Sequence, residues 1–163
     1  MTLGQFTEPR LLIPRLLADR PDQAVRELAA RLESCDRIGS ARRFADVILA
    51  GEDRAPSLAA RSVAVPHARG GDVQKLSVAV GIAPQGIFWD RNSGEIVNAV
   101  FLFAVPLIEA GRYLSLLSGL SALIHDEMAF SALTRATQPE EMLEVLRQVR
   151  LARVLAEPAI LAA

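Results

Sequence analysis

The sequence predicts an α/β domain, and three observations carry that prediction. Apolar residues recur at helical spacing near both ends of the chain, over 21–34 and 40–50 and again from 113 to 150. Between them lie short β-branched runs and one long apolar run, as strands covered on both faces require. Prolines, glycines and capping residues mark the junctions. Helices first, strands in the middle and helices last read as one domain over 1–163, with 151–163 as a C-terminal extension. Half of the 163 residues are apolar and about a quarter are charged, which supports one core and is short for two.

Residues 1–18 form a loosely patterned lead-in. Leu11-Leu12-Ile13 suits a short strand ended by Pro14, with Leu16-Leu17 packing beneath the domain. Asp19 is the expected cap of a helix from about Pro21 to Ser34. Pro21 suits its first turn, and Ala24, Val25, Leu28, Ala29 and Leu32 make the apolar stripe. Ser40 caps a second helix through Ala50, with Gly51 as its C′ stop. Residues 51–61 read as an exposed loop.

Gly70-Gly71-Asp72 makes a turn into a strand over Leu76 to Ile82. Pro84-Gln85-Gly86 then turns the chain into Ile87-Phe88-Trp89, and Arg91 to Gly94 turn it again. Ile96 to Val105 is the most apolar segment and the expected central strand, closed by Pro106. Tyr113 to Ile124 carries Leu114, Leu117, Leu120 and Ile124 along one helix. Asp126 caps a short helix, and Thr137-Gln138-Pro139-Glu140 reads as a capping box for a helix through about Arg150.

Composition excludes several function classes. A net charge of −1 and a pI near 6.1 give no basic face for nucleic acid or a membrane surface. Cys35 stands alone, so an intramolecular disulfide and multi-cysteine metal sites are out, and it reads as a half-buried filler. Arg10 and Arg15 interrupt any signal-peptide core, and no apolar run reaches bilayer-spanning length, so a reducing cytoplasm is the expected compartment. His67 and His125 lack metal-ligand spacing, and there is no glycine-rich phosphate loop. Neither a metal nor a cofactor is expected. A Ser-His-Asp triad finds no GxSxG elbow and stays a minor alternative.

The chemistry-bearing stretch is Ala60 to Arg69 (ARSVAVPHAR), which sets His67 directly after Val63, Val65 and Pro66. Pro66 should end the strand, leaving His67 where a sheet element opens into a loop. A neutral imidazole can attack a phosphoryl group and hold it as a labile phosphohistidine. Such a site needs an exposed ring nitrogen, a partner fixing the tautomer, and donors or cations around the phosphoryl oxygens. Arg54, Arg61, Arg69 and Arg112 are the candidate cations.

The AVPHAR segment resembles the AVPHA/AIPHA signature of phosphotransferase-system (PTS) IIA domains of the fructose/mannitol/nitrogen-regulatory class. The similarity runs from roughly residue 11 to 149. It continues through Leu49-Ala50-Gly51-Glu52, VAVGI, Gly86 to Trp89, FLFAVP and YLSLLSGLSALIHDEMAFSAL, all in family order. The resemblance implies a three-layer α/β/α sandwich with a mixed central sheet. It implies that His67 accepts a phosphoryl group from HPr or a nitrogen-branch version of it. The group then passes to a IIB domain, or its presence regulates another protein.

By the same resemblance Ser57 stands where the family has a threonine. Tyr113 stands where a second histidine supports the phosphohistidine, and Gly51 replaces the arginine that precedes Glu52. A phenol donates a hydrogen bond but carries no positive charge near neutral pH. Losing that imidazole and an arginine weakens phosphoryl stabilisation, with Arg54 or Arg112 as substitutes. A regulatory role is therefore favoured over sugar transport. The rival readings are a IIA-fold module that is never phosphorylated and regulates by docking, and a stand-alone hydrolase using His67. Structural readings accompany each residue: Arg61 and Arg69 as solvated loop charges, His125 as a helix-end partner, and Trp89 as the edge of the core.

Overall fold

The middle of the chain builds the sheet on which the site rests. A computed structural model describes residues 1–153. The sequence segments 77–88 and 96–106 form the two long strands, β5 (Ser77–Phe88) and β6 (Ile96–Pro106), paired antiparallel. Shorter strands complete it: β1 (Leu12–Ile13), β2 (Leu58–Ala59), β3 (Val63–Ala64) and β4 (His67–Gly70). The order is β1-β5-β6-β3-β2, with β4 also against β6. β1 runs parallel to β5, and β3 and β4 run parallel to β6, so the sheet is mixed.

Alternation along β6 sends Val100, Leu102 and Ala104 to one face and Phe101, Phe103 and Val105 to the other. The first face packs under α1 (Pro21–Ser34) and α2 (Ala41–Arg54) through Val25, Leu28, Phe44 and Ile48. The second packs under α3 (Ala110–His125), α4 (Glu127–Arg135) and α5 (Pro139–Arg147) through Leu116, Leu120, Leu133 and Leu146. This is the three-layer α/β/α sandwich with a mixed sheet.

Ser40 caps α2 as expected, its Oγ accepting from Arg43 N–H at 3.2 Å, and Asp126 does the same for α4 through Ala129 N–H at 3.0 Å. Several local expectations need correction. Asp19 falls one residue too early to cap α1, whose N-cap is Arg20. Gly51 does not stop α2, which continues to Arg54. The helix runs through the glycine at a cost of about 1 kcal/mol relative to alanine, and a Cβ there would meet nothing within 4 Å. The presumed loop 51–61 therefore holds the end of a helix and strand β2.

Pro84-Gln85-Gly86 is a bulge within β5 and not a turn. The register shifts between Ile82 and Ile87, Gly86 takes φ +82°, and Asn98 Nδ2–H donates to Ala83 O at 3.0 Å. α3 starts three residues earlier than expected, at Ala110. The Thr137–Glu140 box is not formed. α5 begins after Gln138, Thr137 Oγ1 donates instead to Glu141 at 3.1 Å, and the helix ends at Arg147. Leu16 is buried but Leu17 is 92% exposed. Of the proposed extension, residues 154–163 lie outside the described part.

Candidate functional site

The site begins with how Pro66 is accommodated. It has no N–H for the ladder, but its carbonyl accepts from Phe103 N–H at 3.0 Å. The chain is thereby kept against β6 across the break between β3 and β4. His67 opens β4 opposite Phe103, so it sits at the start of a strand and not in the loop the sequence suggested. Alternation then exposes His67 and Arg69 while Ala68 is buried.

The His67 ring is exposed, and its Nδ1 lies 3.0 Å from Val65 O. A carbonyl only accepts, so Nδ1 carries the proton and Nε2 is left with its lone pair toward solvent. Val65 is itself held, its N–H donating to Ser57 O at 2.7 Å. The β2–β3 connection is tight: Arg61 and Ser62 take φ +58° and +60°, a conformation that costs non-glycine residues energy.

The Tyr113 ring, in the first turn of α3, lies 5.7 Å from the His67 ring. It also meets Phe103 edge-on at 5.6 Å. Burial pushes the Tyr113 phenol up to about 12, so at neutral pH it is an uncharged O–H. From His67 an open groove of about 430 Å³ runs along α3, walled by Leu58, Val65, Leu117, Leu120 and Ile124.

Of the residues singled out in the sequence, the groove gathers His67, Tyr113 and Ser57. Among the described residues no arginine lines it. Arg69 donates to Leu107 O at 2.7 Å, tying β4 to the segment that leads into α3. Arg112 pairs with Glu109 at 3.1 Å and lies over the Phe6 ring. Arg54 donates to Ala50 O and lines a separate cleft, and Arg61 sits exposed on the β2–β3 turn.

His125 closes the far end of the same groove, with its Nδ1 donating to Ser121 O at 2.7 Å. Helical spacing puts 113, 117, 120 and 124 on one side of α3; position 125 stands about 100° round from 124, so spacing alone does not signal it. Glu52 was seen only as a family residue. Its Oε2 accepts from Ser57 N–H and from Trp89 Nε1–H, each at 3.0 Å, and Trp89 is buried at the core edge as expected. Among the described residues no cluster of side chains is suited to a metal ion.

An α/β/α sandwich with a mixed sheet is also the fold of solved structures that this chain resembles. Residues 5–149 match the family model described as "Phosphoenolpyruvate-dependent sugar phosphotransferase system, EIIA 2", and the chain belongs to that family. The match begins at residue 5, somewhat ahead of residue 11, where the resemblance in the sequence starts, and both end at 149.

Among its relatives is the 2-O-α-mannosyl-D-glycerate-specific EIIABC component of Escherichia coli K12. It is 29% identical over 127 residues, covering 77% of this chain and 19% of that protein. The nitrogen regulatory protein of Bradyrhizobium diazoefficiens is 23% identical over 147 residues, covering 90% of this chain and 95% of that one. The chain spans about a fifth of the length of the mannosylglycerate component and of a Bacillus subtilis fructose-specific EIIABC component.

Among solved structures, the nitrogen regulatory protein IIA-Ntr of Neisseria meningitidis superposes with a TM-score of 0.77 at 20% identity, covering 88% of this chain and 97% of its own. IIA mannitol of Escherichia coli gives 0.73 at 21%, covering 85% and 97%. The Escherichia coli mannitol IIA enzyme is also known in complex with phosphorylated IIB, at a TM-score of 0.69, 21% identity and coverage of 84% and 94%. Among the described residues no helix is long and apolar enough to cross a membrane.

Proposed function

We propose that this chain is a IIA-type phosphoryl carrier with a regulatory role, and that Nε2 of His67 accepts the phosphoryl group from an HPr-type phosphohistidine protein. The observation that carries the reading is the exposed ring with Nδ1–H bound to Val65 O and Nε2 free. In the transfer the Nε2 lone pair forms the new N–P bond as the donor's N–P bond breaks, its electron pair leaving with the donor imidazole. The His67 ring gains positive charge in that step, and the carbonyl of Val65 faces the N–H that shares it. The open apolar groove beside the ring seats the partner, whose docking then covers the reacting atoms. From His67 the group moves to a IIB domain, or its presence alters docking to a regulated protein. The setting for either is the cytoplasm, and no cofactor is called for.

A second reading keeps the groove and drops the chemistry: a docking module that is never phosphorylated. Two observations favour it, the neutral Tyr113 beside the ring and a groove whose described lining holds no arginine. Incubation with phosphoenolpyruvate, enzyme I and the HPr of the same source, followed by intact mass, separates the two. One added phosphoryl group that vanishes in His67→Ala is the expected result. An unmodified wild-type chain assigns the groove to docking alone.

A further inference from the structure

Glu52 lies in the last turn of α2, the end of a helix where its partial negative charge disfavours an acid. Helix stability therefore gives no reason for a carboxylate there. What the carboxylate does is visible in its contacts. It bonds Ser57 N–H and Trp89 Nε1–H, neither of which belongs to α2.

From Ser57 the contacts continue without a gap. Ser57 O accepts from Val65 N–H at 2.7 Å, and Val65 O accepts from His67 Nδ1–H at 3.0 Å. Four hydrogen bonds in series thus join indole, carboxylate, two backbone units and imidazole. The carboxylate bonds are charge-assisted and the strongest of the set.

The segment they hold has little else. β2 has two residues, sits at the edge of the sheet, and pairs only with the two residues of β3. An element so short frays unless anchored.

We propose that Glu52 is a positioning residue for His67. Its carboxylate pins Ser57, Ser57 aligns Val65, and Val65 holds the imidazole as the Nδ1–H tautomer with Nε2 available. The consequence for phosphoryl transfer rests on the function proposed above, whereas the tautomer itself does not. Long-range ¹H–¹⁵N correlation spectra of the full chain read the tautomer of each ring directly. The chain has two histidines, and His125, bonded to Ser121 O, serves as the internal reference.

In wild type His67 should show the Nδ1–H form. In Glu52→Ala it should become a mixture of tautomers while His125 is unchanged. Glu52→Gln, whose amide oxygen still accepts both donors, should restore the wild-type spectrum. The rate of phosphoryl acceptance should fall about tenfold in Glu52→Ala, the loss of roughly one charge-assisted bond, and recover in Glu52→Gln. Should the alanine variant not fold, Glu52→Met fills the space without accepting and carries the same test. A His67 ring that stays Nδ1–H in the alanine or methionine variant overturns the proposal, as does a glutamine variant that restores nothing. If wild type takes up no phosphoryl group, the carrier reading falls while the tautomer result is still read.

Discussion

Tyr113 is the chain's single tyrosine, so its ionisation can be followed without ambiguity by phenolate absorbance in the near ultraviolet. Its ring is wedged between Phe103 and His67, and burial pushes the phenol up to about 12 from its ordinary value of 10. Between those two values an unfolded chain releases a proton that the folded chain keeps. Stability from this group is therefore fully present below pH 10 and falls as pH rises toward 12. Two pH units at about 1.4 kcal/mol each set a ceiling of about 2.7 kcal/mol above pH 12, and because Tyr113 is only partly buried solvent screening brings the loss to about half of that.

The measurement compares urea unfolding of wild type and Tyr113→Phe at about pH 8 and about pH 11.5. Other alkaline titrations act on both chains alike, and the difference between the two differences isolates the phenol. At the higher pH the phenylalanine variant should gain about 1 kcal/mol on wild type relative to the lower one. Phosphorylating His67 places further negative charge beside the phenol and should raise its midpoint more. A folded-state midpoint near 10, with no relative gain for the variant, would refute the reasoning, because Tyr113 would then be in water and the groove wall beside His67 would not exist.

Three further outcomes rest on the packing of single residues. Gly51→Ala should raise stability by about 1 kcal/mol in urea unfolding, because the glycine is helical and a Cβ meets nothing; a loss would restore the view that it terminates α2. Gly86→Ala should cost about 1–3 kcal/mol, since φ is +82° and a Cβ would lie 2.6 Å from Ile96; an unchanged midpoint would argue against the bulge. Tyr113→His puts an imidazole at the 5.7 Å ring separation. At an effective dielectric of about 40, its cation and a phosphoryl charge at that distance attract by about 1.5 kcal/mol per charge pair. Phosphohistidine occupancy should therefore rise roughly tenfold at about pH 6 and much less at about pH 8. An identical gain at both pH values would show that charge is not the cause.

What the sequence makes legible is what depends on short range. The run from Ile96 is apolar at every position that matters, and it becomes β6 to within a residue. Ser40 and Asp126 cap because their hydroxyl and carboxylate reach N–H groups three residues on. Pro84-Gln85-Gly86 has the composition of a turn. Only the pairing with β6, including the Asn98 side chain bonded to Ala83 O, keeps it in the strand, and no local pattern encodes that partner. At the site the same division holds. His67 was recognisable from its own neighbours, whereas the arginines were not placeable, because long exposed side chains go where distant carbonyls and carboxylates take them. Arg69 finds Leu107 O and Arg112 finds Glu109. His125 was not legible in the same way: twelve residues leave it about a third of a turn from Tyr113, and it meets the groove only because α3 ends there.

The two readings of the groove differ less in binding than in electrostatics. Both need the same apolar wall of Leu58 and Leu117 to seat a partner, so surface mutants there reduce either activity. They part at the ring. A transferred phosphoryl group brings up to two negative charges to Nε2, and the ring 5.7 Å from the His67 ring is a phenol that burial keeps neutral near neutral pH. An uncharged phenol beside an open groove stabilises an anion less than a cation does. Lower occupancy of the phosphorylated state is then the expected behaviour. A partially loaded histidine suits a domain whose partners read its phosphorylation state better than one that must deliver a group with every turnover. That is why the neutral ring at 113, taken with a tautomer fixed for attack at 67, favours regulation over transport.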